Sequence, residues 1–283
     1  MKTKTLFTVI LAILAMGCVS AQNSRIVKKT INVGNFTSIC ASSGWDVIVK
    51  QGNRQSVSIE VSEEIAERAI VELKGSTLNI STKSTNRKFS WNDLRNGRNI
   101  IQKAYVTVTD LRELQTSGGV DIIFETPIKT GDFRVTMSGG SDMENLSLSC
   151  NSFKGTFSGG CDAKVRFSSA KNITVNASGG SDIELHDINA EKCDITVSGG
   201  CDAELSGKTR QLTLNASGGS DVSADELAAQ FCDASFSGAA DGKINVTENL
   251  DITVSGASDV ICYGNPRDVK KSVHRSSTLK VKR

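Results

Sequence analysis

Apolar and polar residues alternate with a period of two through most of this chain, and the alternating block itself recurs about every 20 residues. Taking Asp142, Asp162, Asp182, Asp202, Asp221, Asp241 and Asp259 as origins, the position nine residues upstream is Phe133, Phe153, Ile173, Cys193, Leu212, Cys232 and Leu250. Seven upstream stand Val135, Gly155, Val175, Ile195, Leu214, Ala234 and Ile252, and five upstream Met137, Phe157, Ala177, Val197, Ala216, Phe236 and Val254. Columns two residues apart are the signature of a strand with one buried face. A second, less regular strand follows each aspartate, as in Ala163, Val165 and Phe167 or Ile183 and Leu185. No stretch of the repeat has helical periodicity.

The two strands are joined by a conserved-looking turn within the repeat itself. Ser117-Gly118-Gly119-Val120-Asp121 recurs as Ser138–Asp142, Ser158–Asp162, Ser178–Asp182, Ser198–Asp202, Ser217–Asp221, Ser237–Asp241 and Ser255–Asp259. Every copy keeps Ser first, Gly second (Gly118, Gly139, Gly159, Gly179, Gly199, Gly218, Gly238, Gly256) and Asp last; the third position is Gly except at Ala239 and Ala257. A tight turn that needs positive φ or close backbone approach explains the glycines. Each coil is then a strand, a Ser-Gly-Gly turn, a second strand and a looser turn such as Ser168–Asn172. Only helical stacking of such coils brings like residues into register, so the expected fold is an all-β parallel β-helix of about eight coils, at roughly 4.8 Å per coil.

Outside residues 117–262, which hold these coils, the pattern changes. Residues 1–21 combine Lys2 and Lys4, an apolar run from Leu6 to Met16 and the small-x-small site Val19-Ser20-Ala21. This reads as a secretory signal peptide. A lipid anchor at Cys18 is the alternative. No other apolar run is long enough to cross a bilayer as a helix. Residues 22–30 read as a linker and 31–116 as an N-terminal β cap, with a polar, basic loop over 84–103 and a mixed segment at Glu63–Lys74. Residues 263–283 read as a basic tail with a strand at Thr278–Lys282. Capping is expected, because an open coil is an exposed sheet edge.

Charge is segregated in the same way. Residues 117–262 carry 21 acidic and ten basic side chains, whereas residues 263–283 carry seven basic and one acidic. An acidic body argues against nucleic acid as a partner. After leader cleavage seven cysteines remain, at 40, 150, 161, 193, 201, 232 and 262, an odd number that cannot pair completely. Cys193 and Cys232 fall in a core column. Cys161 and Cys201 fall directly before the aspartate and two coils apart, about 9–10 Å, beyond disulfide reach. Buried free thiols are expected at these four, while Cys40, Cys150 and Cys262 are open.

The candidate chemistry is the column of Asp121, Asp142, Asp162, Asp182, Asp202, Asp221, Asp241 and Asp259. Each carboxylate could accept N–H bonds from its own turn. The column could instead hold calcium between coils, which requires six to eight oxygens per ion. With only His186 and His274, no zinc spacing or partnered serine nucleophile is found, and no cofactor is expected. Glu144, Glu184 and Glu204 point outward on alternate coils with Lys164 between them, a solvated face whose rival reading is a carbohydrate-cleaving pair.

A family resemblance rests on Phe36–Gly52, with Asp46-Val47-Ile48-Val49-Lys50-Gln51-Gly52, then Gly75–Ile80, Leu111–Asp121, the Ser-Gly-Gly-x-Asp coils and Tyr263-Gly264-Asn265-Pro266. Over these segments the chain resembles the putative auto-transporter adhesins with a head GIN domain. The resemblance implies a right-handed β-helix and an adhesive role, and brings no catalytic residues. The expectation is an exported, non-enzymatic module of the cell envelope or surface that binds a protein or glycan. A structural scaffold assembling through its coil ends into a homo-oligomer is the alternative, and a carbohydrate-active enzyme a third.

Overall fold

The computed structural model describes residues 25–84 and 100–282 of the 283. The expected signal peptide, Cys18 and residues 85–99 of the expected loop lie outside the described residues.

The chain forms a β-solenoid of about eight turns, as the repeat predicts. Strands leading into the tight turn make one face, and strands leaving it make another. On the leading face β8 (Glu113–Ser117), β11 (Asp132–Gly139), β13 (Ser152–Gly159) and β15 (Asn172–Gly179) pair in parallel. The face continues through the second halves of β16 (Asp182–Gly199), β17 (Asp202–Gly218), β18 (Asp221–Gly238) and β19 (Asp241–Val254) to β21 (Asp268–Val273). On the leaving face β9 (Asp121–Phe124), β12 (Asp142–Ser149) and β14 (Asp162–Ser169) are followed by the first halves of β16–β19. That face ends on β20 (Asp259–Tyr263) and β22 (Thr278–Val281). A two-residue strand, β10 (Ile128–Lys129), pairs beside β12.

Registers are those of the sequence columns. Phe133, Phe153, Ile173, Cys193, Leu212, Cys232 and Leu250 lie side by side, all at most 4% exposed. Alternation therefore becomes a continuous apolar core along the rod axis, with outward residues left in water. Two glycines inside strands serve this core. A Cβ on Gly155 would stand 2.5 Å from Phe157 Cε2 and 3.2 Å from Phe153 Cε1, so this glycine is the space the two rings occupy. Gly242 makes room for Phe236 in the same way.

The tight turn sets the spacing. The second motif residue has φ between 72° and 93° in all eight copies of the body. A Cβ on Gly179 would stand 2.7 Å from the Gly159 carbonyl oxygen. That same oxygen accepts the Gly180 N–H at 2.7 Å, so one hydrogen bond both stacks the coils and forbids a side chain at Gly179. The third position is open: a Cβ on Gly180 meets nothing nearer than 3.8 Å. Ala239 and Ala257 are tolerated there for that reason, and their N–H groups still bond to Gly218 O and Gly238 O.

Several boundaries differ from the sequence reading. The looser turn is absent from the later coils, where β16–β19 run as single bent strands of 14–18 residues. In β16 the bend coincides with a register shift at Asp187, at positive φ; β12 carries a similar shift at Asn145, also at positive φ. In the earlier coil, strand persists to Ser169 and only Ala170 and Lys171 separate it from the next.

The N-terminal region contains a coil of its own. β2 (Ser38–Ser42) pairs with β8 and β3 (Asp46–Gln51) with β9, placing Ser42 beside Ser117 and Asp46 beside Asp121. Ser43-Gly44-Trp45-Asp46 is thus a ninth turn, hidden because the next copy lies 75 residues on. β6 (Thr77–Thr82) and β7 (Gln102–Val108) stack beyond it, so Gln102 and Lys103 belong to strand rather than loop. Antiparallel strands cover this end: β4 (Ser56–Ser62) on β7, β1 (Ile26–Ile31) on β4, and β5 (Ala69–Lys74) on β6. The expected linker is therefore largely β1, and the mixed segment is a one-turn helix, α1 (Glu63–Ala66), followed by β5. Trp45 is fully buried and donates its indole N–H to Thr82 Oγ1 at 2.9 Å. At the other end, β21 and β22 complete one more coil, so the basic tail is part of the solenoid.

Two substitutions test the turn and the core. Gly179→Ala should destabilise by at least about 2 kcal/mol, whereas Gly180→Ala should change stability by less than about 1 kcal/mol, read by urea unfolding. Gly155→Ala should cost about 2 kcal/mol by overpacking, and Phe157→Leu introduced with it should recover part of that loss in a double-mutant cycle.

Candidate binding faces

The aspartates form one ladder. Asp46, Asp121, Asp142, Asp162, Asp182, Asp202, Asp221 and Asp241 are lateral neighbours, and the Asp259 N–H donates to Asp241 Oδ1 at 2.9 Å. Lys103 closes one end, 3.6 Å from Asp46 Oδ2, and Thr278 lies beside Asp259 at the other.

These carboxylates do not cap their own turns. Asp begins the leaving strand on its outward side, while the residue before it points inward. That inward column is Val120, Ser141, Cys161, Ser181, Cys201, Ser220, Ala240 and Ser258, all buried. Its hydroxyls and thiols do the capping. Ser141 Oγ donates to Ser138 O at 3.1 Å, Cys161 Sγ to Ser158 O at 3.3 Å and Ser220 Oγ to Ser217 O at 3.0 Å. Some also accept an N–H from the neighbouring coil, as Ser141 Oγ does from Val120 at 3.3 Å. Ser and Cys interchange in this column because each carries one short donor.

Without caps, the ladder carries its repulsion. Asp121, Asp162 and Asp202 have pKa values raised from the ordinary 3.8, first by partial burial and then by their neighbours: Asp142 and Asp46 for the first, Asp142 and Asp182 for the second, Asp182 and Asp221 for the third. Among the described residues no group of three or more His, Cys, Asp or Glu converges to hold a metal ion.

Beyond the ladder, Lys164 Nζ lies 2.7 Å from Glu184 Oε1, and His186 Nε2 lies 3.3 Å from Glu184 Oε2. Arg166 pairs with Asp187. Glu144, Lys164, Arg166, Glu184 and His186 rim a shallow depression of about 560 Å³. Glu184 and Glu204 are neighbours on consecutive coils, not alternate ones. Hydrogen bonding to Lys164 holds Glu184 below the ordinary carboxylate range, the opposite of what a general acid for glycoside cleavage requires.

The leading face has a different surface. One outward column runs Gln115, Thr136, Thr156, Asn176, Thr196, Asn215, Ser235 and Thr253, with every side chain uncharged and capable of hydrogen bonding. No single-coil motif signals it; it is found only by reading the polar positions between the core columns. Near the N-terminal end of this face, Arg112, Arg134 and Lys154 border a groove of about 740 Å³.

All seven described cysteines are free. Burial raises the Cys150 thiol to about 11 and the Cys193 thiol to about 12, which keeps both protonated and unreactive.

The chain belongs to the family described as putative auto-transporter adhesin, head GIN domain, whose model matches residues 35–206 and 170–266. Its fold is that of a solved putative lipid binding protein from Parabacteroides distasonis, 18% identical with a TM-score of 0.65, covering 92% of this chain and 98% of the other. It is also that of a putative adhesin from Parabacteroides merdae, 17% identical with a TM-score of 0.62 and the same coverages. A putative adhesin from Bacteroides fragilis aligns over the same shares at 17% identity and a TM-score of 0.51. No curated protein matches.

The ladder predicts an inverted acid response. Because the three aspartates have raised values in the fold, the folded chain binds more protons than the unfolded one above pH 3.8. Their destabilisation is therefore present at neutral pH and is relieved as pH falls through the raised values toward 3.8. Asp162→Asn with Asp202→Asn should raise the thermal midpoint at pH 7 by about 1–3 °C and flatten this part of the pH dependence. Calcium and magnesium at equal millimolar concentration should shift the wild-type midpoint alike, through screening; a shift specific to calcium would establish an ion ladder instead.

Proposed function

We propose that this chain is an exported β-solenoid of the cell envelope or surface that binds a glycan or protein on an outward face and carries out no catalysis. The observation that carries this reading is the uncharged column on the leading face. Its side chains recur at the coil spacing of about 4.8 Å, which suits a ligand that itself repeats polar groups. Such a surface offers many similar hydrogen bonds and no one exceptional place. The family's adhesin description and the expected leader at residues 1–21 support the same reading. Among the described residues no helix is long and apolar enough to cross a membrane.

The test is a glycan array and whole-cell binding assay with the chain from Gln22 onward. A variant carrying Thr156→Arg, Asn176→Arg and Thr196→Arg should bind more than about tenfold more weakly, with an unchanged thermal midpoint. Wild-type affinity in that variant would assign binding to another face. No binding to any glycan or cell surface would sink the reading.

A further inference from the structure

The two ends of the rod are built differently. At the N-terminal end β1, β4 and β5 fold across as antiparallel strands, and Ile59 and Val61 of β4 and Ile65 of α1 are buried. At the C-terminal end the inward columns stop on Val269, Lys271 and Val273 of β21 and on Leu279 and Val281 of β22. Val269, Val273 and Val281 are 39%, 40% and 38% exposed, while their neighbours Leu250, Val254 and Cys262 are at most 1% exposed. Among the described residues nothing packs over this last coil.

The open end is strongly basic. Arg267, Lys270, Lys271, Arg275, Lys280 and Lys282 face a single acid, Asp268. Arg267 and Lys270 pair with Glu248 and Asp251 of the coil before, and Lys282 lies over the Tyr263 ring. Lys271, Arg275 and Lys280 form no ion pair among the described residues. Lys271 also stands in the inward column occupied by Ile252 one coil earlier.

This chemistry selects among possible occupants. A second copy stacked end to end would set lysine against lysine, and an inward-pointing lysine on an edge strand opposes such pairing. A soluble polyanion would satisfy the charges but not the valines. An anionic bilayer satisfies both, taking apolar side chains at the headgroup boundary and cations at the phosphates. The acidic body would be repelled by the same surface, which holds the rod upright.

We propose that the open C-terminal coil docks end-on to an anionic lipid surface, with Val269, Val273 and Val281 at the headgroup boundary and Lys271, Arg275, Lys280 and Lys282 against lipid phosphates. The proposal rests on reading the chain as an envelope binding module and adds a second contact at the rod's end.

The experiment is co-sedimentation of the chain from Gln22 onward with phosphatidylcholine vesicles, with and without phosphatidylglycerol, across a salt series. Binding should require phosphatidylglycerol and fall steeply with salt. Lys271→Glu, Lys280→Glu and Lys282→Glu together should weaken it at least about a hundredfold. Val269→Ser, Val273→Ser and Val281→Ser together should weaken it severalfold at unchanged charge, and Arg134→Glu with Lys154→Glu should leave it intact. Thermal midpoints confirm that each variant is folded. Equal binding to neutral vesicles, or lysine reversals without effect, would overturn the proposal. Heparin binding as tight as vesicle binding, with the serine variant unaffected, would also overturn it in favour of a soluble polyanion. The arginine variant of the leading face should keep full vesicle binding, so failure of the glycan reading and failure of this one are separable.

Discussion

Coils can stack only as closely as their tightest turn permits. Here the limit is the contact between the first glycine of one motif and the first glycine one coil earlier. The carbonyl of Gly159 receives the Gly180 N–H at 2.7 Å, and a side chain on Gly179 would stand 2.7 Å from the same oxygen. If that approach were lost, the ladders on both faces would lose the spacing that makes them hydrogen bond. The core depends on it as well, since Phe133 meets Phe153, and Ile173 meets Cys193, only when successive coils are held in register. One backbone hydrogen bond per coil, made possible by positive φ, thus sets the geometry of everything outside the turn.

Register then dictates the exterior, with consequences of both signs. Any outward position is repeated beside itself, so a charged choice produces like-charge contacts and an uncharged one produces a hydrogen-bonding strip. The aspartate column is the first case, and the raised values of Asp121, Asp162 and Asp202 record its cost. Threonine, asparagine and serine between Gln115 and Thr253 are the second. Ion pairs appear where the column is mixed, as between Lys164 and Glu184. Exposed pairs of this kind contribute little to stability, so their main effect is to neutralise carboxylates that would otherwise be available for acid–base chemistry.

The repeat was legible because its determinants are local: alternation, a glycine-dependent turn and a fixed spacing. Assigning the caps to aspartate failed at one residue's resolution. The pleat sends the residue before Asp inward, so Ser141, Ser181 and Ser220 hold the turn while Asp points to solvent. The first turn, Ser43-Gly44-Trp45-Asp46, escaped because its partner in space is distant in sequence and because Ser43, at φ 74°, takes a conformation elsewhere given to glycine. The strand nature of Ile26–Ile31 was equally hidden. Its pattern, IVKKTI, is only half-buried, and its pairing with β4 is a tertiary fact that no local signal carries.

The ends show what a stacked fold must resolve without repetition. A solenoid has two terminal coils, each with unpaired backbone and a core cross-section facing outward. The N-terminal end is closed by reversing strand direction, which only a chain excursion can do: β4 and β5 run against the coils beneath and remove the parallel edge that a further coil would need. The C-terminal end keeps the parallel direction and the inward columns, so geometry alone would allow another coil to add. What opposes addition there is composition, with Lys271 in a core column and Lys270, Lys280 and Lys282 around it. Charge is a conditional barrier. It excludes a like-charged copy of the same end, yet it attracts any negatively charged surface, and the three half-exposed valines give such a surface something apolar to meet. A strand-reversed end no longer offers the parallel edge that a further coil would need, whereas a lysine-guarded end keeps that edge and leaves charge to choose the partner.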